Sequence, residues 1–132
     1  MGTLIDTSVL IAIERGDLDL ATVREDEEEE LAIAAITASE LLHGVHRLRG
    51  AVARTRAERF VEHLLEVLPV IPFDLDVARI HARIDAELSA AGAMVGDADL
   101  MIAATAVWLD YRVATHDLRS FPKIKGLSIA RW

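Results

Sequence analysis

The sequence predicts an α/β fold, with one domain built on a mainly parallel sheet of four or five strands and helices on both faces. Three observations lead there. Short β-type runs alternate with longer helical patterns along the chain, which is the signature of βαβ units. The 132 residues suit a single domain with a core of its own, and no internal repeat, Pro- or Ser-rich linker or compositional break divides them. Apolar residues reach 52%, enough for that core and slightly above the globular norm, which leaves apolar surface for a partner or a second copy.

The first strand is expected at Thr3–Ile5, followed by helices over Ser8–Glu14 and Leu18–Arg24. The acidic run Glu25–Glu30 reads as a solvated loop or helix end. A strand at Leu31–Ala35 leads to a helix over Ala38–Leu48, whose start, Thr37-Ala38-Ser39-Glu40, has the form of a capping box. A helix over Val52–Val67 and a strand at Val70–Phe73 follow. The helix over Leu75–Ala91 is the clearest. Val77, Ile80, Ile84, Leu88 and Ala91 recur at helical spacing with Arg79 and Arg83 off that face, Asp74 suits the N-cap and Gly92 the C-cap. A helix over Ala98–Leu109, with Asp97 as its N-cap, and strands at Arg112–Ala114 and Leu127–Ala130 complete the chain.

With no cysteine, disulfides and thiolate zinc sites are excluded and a reducing compartment is expected. The start reaches Asp6 without a basic region, so it does not read as a signal peptide, and no uncharged apolar run is long enough to cross a bilayer. A cytoplasmic protein is the expectation. A net charge of −8 argues against nucleic acid as a partner, but six acids fall in the single run Glu25–Glu30, without which the balance is only −2. Five arginines (Arg47, Arg49, Arg54, Arg56, Arg59) lie within thirteen positions. Arg112, Arg119, Lys123, Lys125 and Arg131 gather near the C-terminus, and either group reads equally as a solvated face.

Four acids stand at the ends of predicted elements. In an open parallel sheet the ligand crevice lies outside the carboxyl ends of the strands. Asp6 follows the first strand directly, and Asp117 follows Arg112–Ala114 by way of Thr115 and His116. Glu40 and Asp99 fall in the first turns of helices. Each has an ordinary alternative role as a turn former or cap. Together, four carboxylates converging on one crevice repel one another, and a divalent cation resolves that repulsion. All-oxygen ligands suit Mg²⁺ or Mn²⁺. Such a site activates water for attack on a phosphodiester, so hydrolysis of a nucleic-acid backbone is the reaction class implied. Glu40-x-x-His43 is half of a di-iron motif with no second half, and there is no His-Glu-x-x-His zinc motif. His43 and His46 read mainly as surface or packing residues.

Four segments carry a resemblance: Leu-Ile-Asp6-Thr-Ser-Val-Leu-Ile, Thr-Ala-Ser-Glu40-Leu-Leu-His-Gly, Gly-Asp-Ala-Asp99-Leu-Met-Ile-Ala-Ala-Thr-Ala and Ala-Thr-His-Asp117-Leu-Arg-Ser-Phe. In this order the chain resembles PIN-domain proteins, and among them the VapC-type toxins of toxin-antitoxin pairs. The resemblance implies a PIN-like fold and a Mg²⁺- or Mn²⁺-dependent endoribonuclease acting on RNA. Asp6, Glu40 and Asp99 would be its core acids and Asp117 the fourth. It selects Asp99 over Asp97, and Asp117 stands where relatives often carry Asn. It further implies a homodimer and a cognate VapB-type antitoxin that blocks the site, with DNA reached only through the antitoxin. Thr7, Ser8 and Thr115 are candidates for orienting the acids or their waters, and Arg47, Arg49 and His116 for contact with RNA. Two other readings stay in view. One is a catalytically silent interaction domain of the same fold. The other is a receiver-like signalling module, disfavoured because Asp6 has no acidic neighbour and the only lysines are Lys123 and Lys125.

Overall fold

The computed structural model describes residues 2–24 and 26–132. Strand β1 (Thr3–Ile5) leads through α1 (Thr7–Glu14) and the short α2 (Leu20–Val23) to β2 (Leu31–Ala34). Then come α3 (Ala35–Arg47), α4 (Ala51–Val67), β3 (Val70–Ile71), α5 (Leu75–Ala90) and α6 (Asp97–Leu109). Strand β4 (Arg112–Ala114), a 3₁₀ turn at Phe121–Lys123 and β5 (Ile129–Ala130) close the chain. The five strands form one sheet in the order β3-β2-β1-β4-β5, and every neighbouring pair is parallel. Among the described residues, no helix is long and apolar enough to cross a membrane.

Because side chains alternate across a strand, the sheet feeds two cores. Leu4, Ala32, Ala34 and Val113 face one layer, where they meet Val77, Ile84 and Leu88 of α5 and Leu100, Ile102 and Ala103 of α6. Ile5, Ile33, Ala114 and Ala130 face the other, against Val9 and Leu10 of α1, Leu41 and Val45 of α3, and Val61 and Leu64 of α4. The helices therefore cover both faces, as the sequence predicts. Phe121, fully buried in the first core, anchors the segment that follows β4.

Several boundaries differ from the sequence reading, each for a local reason. Helix α3 begins at Ala35, directly after β2, so Thr37 lies inside its first turns rather than at its cap. The capping box is not formed: Thr37 is fully buried, and its hydroxyl has no hydrogen-bond partner among the described residues. At α6 the N-cap is Gly96, and Asp97 is the first helical residue. Pro72 has no N–H to donate and ends β3 at Ile71. Helix α2 starts at Leu20 rather than Leu18 because Asp19 caps it, accepting from Ala21 N–H at 3.0 Å. At α5 the expected cap is present, with the Asp74 carboxylate accepting from Val77 N–H at 3.1 Å. Its C-cap is Ala91, and Gly92 follows in the left-handed region at φ 69°.

The acidic run is not simply solvated. Glu25 lies outside the described residues, but the Glu29 side chain is nearly buried at the amino ends of β1 and β4, where it accepts hydrogen bonds from the Thr3 hydroxyl and Arg112. Its ion pair with Arg112 is 3.0 Å long. Glu30 accepts from the Tyr111 hydroxyl, and this bond, with burial, pushes that phenol up from its usual range. The Tyr111 ring lies so close to Gly2 that a Cβ there would come within 2.3 Å of it.

Candidate active site

The chain winds outward from β1 through β2 to β3, then crosses back to place β4 on the other side of β1. That reversal opens a crevice outside the carboxyl ends of β1 and β4. Asp6 leaves β1 there, with its N–H donated to the Ala114 carbonyl at 2.9 Å and only 4% of the residue exposed. It occupies the N-cap position of α1, yet its side chain caps nothing. Instead Oδ2 accepts from the Ser8 hydroxyl at 2.7 Å and the Thr115 hydroxyl at 2.8 Å. Both hydroxyls are also acceptors: Ser8 Oγ takes the His116 N–H at 3.1 Å, and Thr115 Oγ1 takes the Asp117 N–H at 2.8 Å. The ends of β1 and β4 are thus laced together through one carboxylate.

Asp117 shapes the loop after β4, its Oδ1 accepting from the N–H groups of Arg119 at 2.9 Å and Ser120 at 3.1 Å. The turn role is therefore real, but the same carboxyl also meets Asp99. Burial works against its charge. The two N–H donors, the Ser120 hydroxyl and the hydrogen bond with Asp99 outweigh that and hold Asp117 below the ordinary carboxylate value.

Asp99, in the first turn of α6, goes the other way. Burial first, then the charges of Asp6 and Asp117 and a hydrogen bond with Asp117, push it up to about 6, against a smaller downward pull from the Ser120 hydroxyl. Asp97, two residues earlier, is exposed and plays no part in this cluster, as the 3.6-residue helical repeat requires. Glu40 is exposed on α3, where it accepts from the Thr7 hydroxyl at 2.7 Å, one residue along from Asp6.

All four acids predicted from sequence thus collect at one end of the sheet, and Thr7, Ser8 and Thr115 each bond to one of them. Ser120 is the addition that sequence reading missed. Its signal was the Asp-x-x-Ser spacing, in which an Asp forms a turn with the N–H groups that follow it. Arg47 reaches the cavity beside Glu40, and Arg49 is exposed between α3 and α4. The His116 ring bonds to the Trp132 carbonyl at 2.8 Å. His43 and His46 line a separate shallow depression with Ala38, Leu42 and Val70.

Among the described residues, no three His, Asp or Glu side chains form a ready-made coordination cage. The donor set nevertheless fits a hard divalent cation. The available donor atoms are carboxylate oxygens, Asp99 is raised to about 6 by burial and then by Asp6 and Asp117, and Mg²⁺ retains several of its waters and so does not need a full protein cage.

The PIN domain family model matches residues 3–127. Ribonuclease VapC1 of Rickettsia felis is 33% identical over 129 residues, spanning 98% of this chain and 95% of that protein. Among solved structures, VapBC-5 of Mycobacterium tuberculosis, a member of the VapBC family of toxin-antitoxin systems, matches with a TM-score of 0.81 at 30% identity over 99% of this chain and 98% of that one. DNA-bound VapBC of Salmonella typhimurium matches with a TM-score of 0.86 at 28% identity over 98% and 97%. With the parallel sheet, the switch-point crevice and its acids in place, the chain belongs to the PIN-domain family and is closely related to the VapC-type ribonucleases of toxin-antitoxin systems.

Proposed function

We propose that this chain is a Mg²⁺- or Mn²⁺-dependent endoribonuclease that hydrolyses RNA phosphodiester bonds and serves as the toxin of a toxin-antitoxin pair. The observation that carries the reading is the convergence of Asp6, Asp99 and Asp117 at the switch point of the sheet, where burial and then the charges of Asp6 and Asp117 lift Asp99 to about 6. Asp6 and Asp99 are the residues that would hold the cation. When bound, it supplies positive charge that activates a water and offsets charge growing on the phosphoryl oxygens. Ser8 and Thr115 fix one oxygen of Asp6 before any ligand arrives, so little reorganisation is needed on binding. Glu40, steadied by Thr7, and Asp117, steadied by its turn, orient the attacking water and take its proton. The water oxygen bonds to phosphorus, the bond from phosphorus to one ribose oxygen breaks, and that oxygen leaves with a proton from solvent.

The antitoxin reading rests on the relatives and on a groove of about 190 Å³ between α1, α3 and α4. Ile11, Leu41, Val45 and Val61 line it, with Glu14 and Glu40 offset by Arg15 and Arg47, so an apolar partner segment fits it. On this reading the chain meets DNA only through that partner. A homodimer is part of the same reading, and exposed apolar side chains such as Val52, Leu75 and Met94 are available for it to cover.

The test is incubation of the purified, partner-free protein with total RNA plus Mg²⁺ or Mn²⁺, beside Asp6→Asn, followed by sequencing of new ends. Discrete ends made by the wild type alone, and abolished by EDTA, are expected. Full activity in Asp6→Asn or in EDTA would sink the mechanism.

A further inference from the structure

The cationic C-terminal cluster is split by the fold. Arg112 goes to the amino ends of the strands with Glu29, whereas both lysines of the chain, Lys123 and Lys125, line a cavity of about 720 Å³ together with Arg83. This cavity lies between the end of α5 and the segment after the 3₁₀ turn, with Ile84 and Leu88 among its apolar lining. Glu87 also lines it and pairs with Arg83 at 3.4 Å, and among the described residues neither lysine pairs with an acid. In a protein of net charge −8, a hollow with three cations and one acid is a local reversal of sign.

Its position ties it to the acids. The Lys123 ammonium donates to the Met94 carbonyl at 3.0 Å, joining the segment that leads into Asp99 to the segment that follows Asp117. Ser120, whose hydroxyl acts on both of those acids, precedes Lys123 by one 3₁₀ turn, about 6 Å along the backbone. A strand of nucleic acid advances about 3.4 Å or more per nucleotide. The lysines therefore stand within a few nucleotides of a phosphate at the acidic centre.

We infer that this cavity is a phosphate subsite for the RNA strand running through the active site, with Lys123 and Lys125 contacting backbone phosphates next to the scissile one. The inference rests on the ribonuclease reading above and adds to it where the substrate lies. Among the described residues no aromatic side chain lines the cavity, so contact there runs through phosphate rather than through a stacked base. The subsite contributes affinity and register without choosing the base sequence.

The experiment measures fluorescence anisotropy of an end-labelled, unstructured oligoribonucleotide in EDTA, where metal-dependent cleavage is off, over a range of salt. Wild type is compared with Lys123→Gln/Lys125→Gln and with Lys125→Gln alone, the latter leaving the Lys123–Met94 bond intact. Loss of two phosphate contacts should weaken binding roughly tenfold or more near 0.1 M salt and flatten the slope of log affinity against log salt by about 1.4. The weakening should be the same for RNAs of different sequence, and in Mg²⁺ or Mn²⁺ the KM for cleavage should rise with kcat little changed. Equal affinities and slopes for wild type and both variants would overturn the inference. So would binding of an acidic peptide through these lysines with no effect on RNA. A wild type that binds RNA through the lysines yet cuts nothing supports the subsite while refuting the ribonuclease reading, so the two failures are distinct.

Discussion

Replacing Asp99 with Asn should stabilise the metal-free protein at neutral pH. In the folded state the Asp99 carboxyl is lifted from 3.8 to about 6, chiefly by burial and then by Asp6 and Asp117. A carboxyl raised on folding binds its proton more tightly in the native state, so its contribution to stability is fully present below about 3.8 and is lost as pH rises through about 6. At pH 7.5 the native protein therefore carries an unfavourable charge. At about 1.4 kcal/mol per pH unit the full conversion would be about 3 kcal/mol. Asp99 is partly open to solvent, and screening reduces this to about 1 kcal/mol. Asn keeps the shape, can donate to Asp117 and removes the charge at every pH.

The assay is thermal unfolding by circular dichroism in EDTA. Near pH 7.5 the variant should melt roughly 4 °C above the wild type, and the gap should close as pH falls through 6 towards 4. Adding Mn²⁺ at pH 7.5 should reverse the order, because only the wild type retains the full carboxylate set, and binding to the native state alone raises its melting temperature. A variant no more stable than wild type in EDTA at pH 7.5 would refute the argument that Asp99 is under repulsion.

Thr115→Val removes the buried hydroxyl that links Asp6 to the Asp117 N–H. Metal-dependent cleavage should fall about 10- to 100-fold while denaturant unfolding shows a loss of only about 1–3 kcal/mol. Arg112→Gln leaves the nearly buried Glu29 without its guanidinium and should cost about 3–5 kcal/mol in urea unfolding. Adding Glu29→Gln should recover much of that loss, and an additive double variant would show that the pair is not coupled. Phe121→Ala opens a cavity under the Asp117 loop at a cost of about 3–5 kcal/mol, and near-wild-type unfolding would show that the loop does not depend on that anchor.

Strands β1 and β4 were legible to the residue, because short β-branched and apolar runs end abruptly at polar residues that form the crevice. The α5 cap was equally plain, since Asp74 needs only its own helix to act. The start of α3 was not. Thr-Ala-Ser-Glu has the local form of a cap, but the chain turns from β2 into the helix at Ala34 with no punctuating residue, and tertiary packing buries Thr37 instead. Glu29 was hidden for the opposite reason: nothing local separates it from its acidic neighbours, and its partners Thr3 and Arg112 lie 26 and 83 positions away. The lysine cavity likewise depends on bringing residue 83 beside residues 123 and 125, which no local pattern encodes.

Asp6 sits at an N-cap position without capping, and Glu40 bonds to Thr7 across the crevice while the box it would have closed is absent. The first turn of a helix favours a carboxylate by about 0.3–1 kcal/mol through its free N–H groups and dipole, which alone would lower its proton affinity. Asp99 is instead raised to about 6, so burial and the charges of Asp6 and Asp117 must exceed the dipole and the Ser120 hydroxyl together. A cap or a solvated first-turn acid has no reason to stand in that field. A carboxylate that shares a divalent cation with its neighbours does, because the ion that removes the repulsion draws its binding energy from it, and metal uptake near pH 6 should therefore release a proton to solvent.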